Sequence, residues 1–188
     1  MDLTDIIVKS EEKYISSVES FFLEKWGETK LWSHDLSHHR RVWNYAKELL
    51  QYIDIPGRLF IEKLLIACYL HDIGMAIDQR EKHGIHSKKF CESFLLNKSI
   101  DPADYADLLE AIENHDNKEY IEFPVSSNLL LLLSVADDLD AFGYTGILRY
   151  ADIYMQRGVS QDNLGRMVLE NSEKRFRNFE KAFMGIPK

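Results

Sequence analysis

Apolar residues recur at intervals of three and four almost throughout this chain, and no segment alternates apolar and polar residues in the period-two manner of a strand bounded by hairpin turns. A chain patterned this way can bury its apolar side chains only by packing helix on helix, so the expected fold class is all-α, a bundle of about seven or eight helices. The pattern places helices near residues 2 to 26, 36 to 54, 58 to 72, 83 to 97, 102 to 116, 127 to 142, 144 to 157 and 160 to 184. Several breaks have turn chemistry: Pro56-Gly57 between the second and third segments, Gly74 after the third, and Asp101-Pro102, an N-cap acid before a proline suited to a first helical turn. With 188 residues, no long Gly/Ser linker and no internal repeat, residues 1–188 read as one domain, with the last helix packing on the rest.

Acidic residues outnumber basic ones by 31 to 23, a formal net charge of −8, which disfavours stable binding to nucleic-acid polymers. A small phosphorylated substrate stays compatible, because a bound cation can reverse the local field. The acidic start, Met1-Asp2-Leu3-Thr4-Asp5, lacks the basic and apolar runs of a signal peptide, and the longest apolar stretch, Leu129 to Leu133, is too short to cross a bilayer. A cytoplasmic protein with no membrane partner, monomer or homodimer, is the expectation. Cys68 and Cys91 lie far apart among apolar residues and read as buried free thiols.

Four polar residues interrupt the apolar stripes. In the second helix the stripe Val42, Tyr45, Ala46, Leu49, Ile53 extends back four residues to His38. In the third, Ile61, Leu64, Leu65 and Cys68 lead to His71 and Asp72. In the sixth, Leu130, Leu133, Asp137 and Asp140 follow one line, which places Asp137, the fourth, inside. Buried imidazoles and carboxylates cost several kcal/mol unless paired or coordinated. A divalent cation between helices explains the set, and so does a buried His-Asp hydrogen-bond network. The last helix mixes Arg166, Lys174, Arg175 and Arg177 with Met167, Phe176, Phe179 and Phe183, and reads as a cover for the core.

His38, the dyad His71-Asp72 within Leu70-His71-Asp72-Ile73-Gly74, and Asp137 within Val135-Ala136-Asp137-Asp138-Leu139-Asp140 together resemble the HD-domain superfamily of metal-dependent phosphohydrolases. His34-Asp35 before His38 and Arg41-Val42 after it resemble that family's first-ligand segment. The likeness spans residues 34 to 149. It implies that His38, His71, Asp72 and Asp137 hold a divalent ion (Mn, Mg, Fe, Zn, Ni or Co). His83 with Ser87, and Asn114-His115, resemble the branch with an extended site, where they would hold a second metal or meet the phosphate. His115 is followed by Asp116 and not by the second His of the dinuclear cyclic-dinucleotide phosphodiesterases, whose Gly-Tyr-Pro signature is also absent. The run Leu139-Asp140-Ala141-Phe142-Gly143 with Gly146 and Arg149 is similar to the segment following the metal Asp in small single-domain members, and makes Arg149 the phosphate contact, against an ordinary surface ion pair. His34, His39 and His86 read as non-ligands: His34 precedes the helix, His39 lies on a more polar face, and His83 is preferred over His86 on the family register.

The implied activity is hydrolysis of a nucleotide-type phosphoester by a metal-activated water. Asp72 would take the water's proton, and Arg149, His83 and His115 would stabilise phosphoryl charge. Two other functions fit the same residues: a di-iron oxygenase, and a non-catalytic ligand-sensing or interaction domain.

Overall fold

The computed structural model describes residues 2–53, 57–79, 82–117 and 128–183, and among them the chain forms eight α-helices and no strand. They are α1 (Leu3–Trp26), α2 (Leu36–Leu49), α3 (Arg58–Leu70), α4 (His83–Asn97), α5 (Ala106–Asn114), α6 (Asn128–Leu139), α7 (Gly143–Gln156) and α8 (Gln161–Phe183). Short 3-10 turns cover Trp32–His34, Leu50–Tyr52, Ile73–Ala76 and Pro102–Tyr105. The expected helices appear at the expected places, with tighter ends. The expected boundaries at residues 54, 127 and 184 and the break at Pro56 lie outside the described residues.

Burial explains the layering. Residues 61 to 70 of α3 are buried on every side, Glu62 and Lys63 included. α3 therefore stands at the centre, with α1, α2, α5 and α6 packed around it. α1 lays its stripe Tyr14, Val18, Phe21, Phe22, Trp26 on α3 and ends at Gly27, whose φ of 52° suits a residue without a Cβ. Asp101 caps the turn before α5 by accepting a hydrogen bond from the Ala103 N–H at 2.9 Å. Both cysteines are buried and free.

α7 and α8 pack on each other and carry a small apolar cluster of their own, Ala141, Tyr150, Ile153 and Val168, while α8 also lies on α6. No helix among the described residues is long and apolar enough to cross a membrane.

Candidate metal centre

Three elements deliver the first donor group. Asp35 caps α2, accepting from the Ser37 N–H at 2.9 Å and the Ser37 hydroxyl at 2.6 Å, and so fixes where the first turn places His38. α3 stops at Leu70, and the chain passes through His71 into Asp72, whose φ of −106° and ψ of 4° open the following 3-10 turn. α6 contributes Asp137. All four side chains are buried, and their donor atoms converge: His38 Nε2 lies 3.3 Å from His71 Nε2, 3.6 Å from Asp72 Oδ2 and 3.6 Å from Asp137 Oδ1.

The ring partners decide what fills the space between them. His71 Nδ1 faces the Cys68 carbonyl at 3.0 Å and His38 Nδ1 faces Asp140 Oδ2 at 2.8 Å, so both Nδ1 atoms donate. In the neutral rings each Nε2 then carries a lone pair aimed at the other and at two carboxylates. Such an arrangement repels itself unless a cation stands inside. Ligand bonds of about 2.0–2.2 Å would set neighbouring donors roughly 3.0–3.6 Å apart, close to the separations seen. The donor chemistry, two imidazoles and two carboxylates, suits a divalent first-row metal or magnesium.

Asp72 reaches a second donor group through its other oxygen. Oδ1 lies 2.9 Å from His115 Nε2 and 3.3 Å from His83 Nε2, and the two rings are 3.4 Å apart at Nε2. His115 Nδ1 donates to the Ile112 carbonyl at 2.7 Å, which again leaves Nε2 as a lone pair. Two imidazole nitrogens and a carboxylate oxygen gathered this closely form a donor set that a cation can occupy. His38, His71, Asp72 and Asp137 form one group with metal-ligand geometry, and Asp72, His83 and His115 a second.

The electrostatics agree. Burial alone would push the Asp72 carboxyl up, but the His71 charge and the His115, His38 and His71 rings outweigh it and hold it well below the usual carboxylate range. His71 is raised although burial lowers it, because Asp72 and Asp137 impose a strongly negative potential. A buried ring drawn towards protonation marks a centre that attracts positive charge.

An outer layer fixes these ligands. Asp140, one turn beyond Asp137, accepts from His38 Nδ1, from Arg41 Nε at 2.7 Å and from Arg149 Nη1 at 2.7 Å. Arg149 is buried, not a surface ion pair. Its Nε donates to the Ser33 carbonyl at 2.6 Å, and Nη2 lies 3.4 Å from His38 Nε2. Arg175, from α8, contacts Asp138 and lies 3.4 Å from Asp137 Oδ2, with its guanidinium 5.0 Å above the Tyr150 ring. It escaped the sequence reading. A signal existed: Arg175 falls on the buried stripe of α8, seven residues from both Val168 and Ala182.

All seven candidate residues, His38, His71, Asp72, His83, His115, Asp137 and Arg149, are buried, and five of them line a cavity of about 1130 Å³ together with His34 and Arg175. That volume accommodates a nucleotide-sized ligand. His83 is the inward residue of its pair, since His86 is half-buried and belongs to neither donor group. His39 departs from expectation. Far from lying on a polar face, it is fully buried, with Nδ1 on the Cys68 carbonyl at 3.1 Å and its ring against Phe22, because α2 is enclosed on more than one side. His34 is also buried, Nε2 3.8 Å from Asp72 Oδ2 and Nδ1 3.0 Å from the Ser33 hydroxyl. Burial lowers its pKa well below the ordinary value.

The family model of the HD domain matches residues 35–142, more than half of the chain. The crystal structure of a predicted HD superfamily hydrolase from an uncultured Thermotogales bacterium is similar over 98% of each chain, with a TM-score of 0.58 and 21% sequence identity. At that identity the likeness is one of fold. No curated protein matches the chain.

Proposed function

Because the chain belongs to the HD domain family, we propose that it is a divalent-metal-dependent phosphohydrolase acting on a small phosphorylated substrate, of nucleotide type. The observation that carries this reading is Asp72, which turns one oxygen to each of two converging donor groups on the wall of a large cavity. His38, His71, Asp72 and Asp137 are the ligands of one ion, and His83 and His115, sharing Asp72, suit a second. A bound divalent cation supplies a water of lowered pKa, near about 7, and polarises phosphoryl oxygens.

The residues around it supply the rest. With one oxygen committed to each donor group, Asp72 is better suited to orient the attacking water than to take its proton. His34 is the candidate base by position: it ligates in neither group, and Ser33 fixes its ring beside Asp72. In this mechanism the water oxygen bonds to phosphorus, the phosphoester P–O bond breaks, and the water's proton passes through His34 Nε2 to the leaving oxygen. Arg149 Nη2, the guanidinium edge left over once Ser33 and Asp140 are served, faces the first donor group and suits a phosphoryl oxygen.

Metal analysis of the purified protein, with a screen over nucleotides, cyclic nucleotides and an aryl phosphate, tests the proposal. Asp72→Ala is expected to lose both metal and turnover. His34→Gln is expected to keep its metal and lose about 100-fold or more in kcat, the scale of general-base removal. Retention of metal and turnover by Asp72→Ala would overturn the site. The shared carboxylate also favours a second reading, a di-iron oxygenase, and two irons with an optical signature would decide for it.

A further inference from the structure

Asn171, Arg175 and Asn178 follow one another on α8 at intervals of four and three, so they share a face, and all three line the cavity. Each holds a buried hydrogen-bond donor without a partner among the described residues: Nδ2 of Asn171, Nε of Arg175 and Nδ2 of Asn178. Buried Val168 and Ala182 stand at either end of the same stripe, where apolar side chains would be the ordinary choice. An unmet buried donor costs about 1–3 kcal/mol. The three side chains reach the cavity, and a half-turn of either carboxamide exchanges its Nδ2 and Oδ1, so the face can turn these donors to a bound group. The stripe spans about 10 Å from the helical rise, and Arg175 sits at its middle beside Asp137 of the metal centre and the neighbouring Asp138. Exposed Lys82, Arg157 and Lys174, none of them ion-paired among the described residues, line the same cavity.

We propose that this face of α8 is the substrate-recognition wall: Asn171 and Asn178 hold the nucleoside portion of a nucleoside monophosphate, while Arg175 directs its phosphate towards the metal centre. A carboxamide offers a donor and an acceptor side by side, the pattern that pairs with the edge of a nucleobase or with sugar hydroxyls. The assignment rests on the phosphohydrolase reading for its substrate class. It adds a helix that lies wholly beyond residues 35–142, the stretch matched by the family.

The test is calorimetric titration of the metal-loaded protein with the four common ribonucleoside 5′-monophosphates and with inorganic phosphate. Proteins compared are the wild type, the double variant Asn171→Ala/Asn178→Ala, and Asn171→Leu/Asn178→Leu, which keeps the side-chain volume. Loss of one to two hydrogen bonds corresponds to at least about tenfold weaker nucleotide binding in both double variants. Inorganic phosphate binding and metal content are expected to stay within about twofold, and the Leu variant to melt no lower than wild type, since it discards unmet donors. Equal nucleotide affinity in wild type and variants overturns the proposal, as does equal loss for nucleotide and phosphate, or a wild type that binds no nucleotide. Nucleotide binding that needs the two asparagines but leads to no turnover sinks the phosphohydrolase reading and leaves the recognition wall standing.

Discussion

Asp140 ties the candidate site to its surroundings, because it is the common partner of His38, Arg41 and Arg149. Asp140→Ala would leave the Arg149 charge buried without its carboxylate and the His38 ring without its Nδ1 acceptor. The expected cost is about 3–5 kcal/mol of stability, read from urea unfolding, with metal affinity reduced about 10- to 100-fold. Wild-type stability in that variant would show that Arg149 is held by other groups. A second single-residue effect lies far from the site. Glu19 accepts from Arg40 at 2.7 and 2.6 Å and from the Tyr69 hydroxyl at 3.2 Å, and the Arg40 hydrogen bonds hold its carboxyl below the ordinary value of 4.5. A depressed carboxylate stabilises the fold above its unfolded pKa, and that contribution is lost as pH falls through the folded value. Arg40 is half exposed, so Glu19→Gln should cost only about 0.5–1 kcal/mol at pH 7. Urea midpoints of variant and wild type should converge as the pH is lowered from 4.5. A gap that persists in acid would assign the effect to packing.

Among the elements, the 3-10 turn Ile73–Ala76 is pressed closely against α4. A Cβ on Gly74 would meet the His83 carbonyl oxygen at 2.1 Å and the Ser87 backbone nitrogen at 2.6 Å. These are backbone atoms and cannot swing aside. Gly74→Ala should therefore push α4 outward, destabilise by about 1–3 kcal/mol, and lower the metal stoichiometry by disturbing His83 more than His38 and His71. An unchanged stoichiometry would mean that His83 is not a ligand. The same elements show what periodicity can and cannot reveal. α3 is a long regular helix, so the step from Ile61 and Leu65 through Cys68 to His71 and Asp72 could be read without a structure. His83 begins α4, with no preceding turn to define a stripe, so helical geometry could not separate it from His86. His34 sits in a 3-10 turn, outside any 3.6-residue period. Sequence cannot place the Arg149 and Arg175 side chains inside, because long basic side chains usually reach water. The rule that singles out His38, a polar side chain on an apolar stripe, applies equally to Arg175.

For the molecule as a whole, the main core is built from α1 to α6 with only Ala182 and Phe179 of α8 joining it, whereas α7 and α8 meet over a small cluster. Amides of α7 and α8 are expected to exchange with solvent faster than those of α3, by opening that does not require global unfolding. Hydrogen exchange read by mass spectrometry tests this, and equal protection throughout would show a single cooperative unit. The division also follows the chain. The converging donors come from residues 38 to 137, within the family match, while the polar stripe of Asn171, Arg175 and Asn178 arrives some thirty residues later. Under the proposed function, reaction and selection are thus written in separate stretches of one polypeptide. A graft of the terminal helix between two such proteins would exchange what they accept while leaving intact how they cut it.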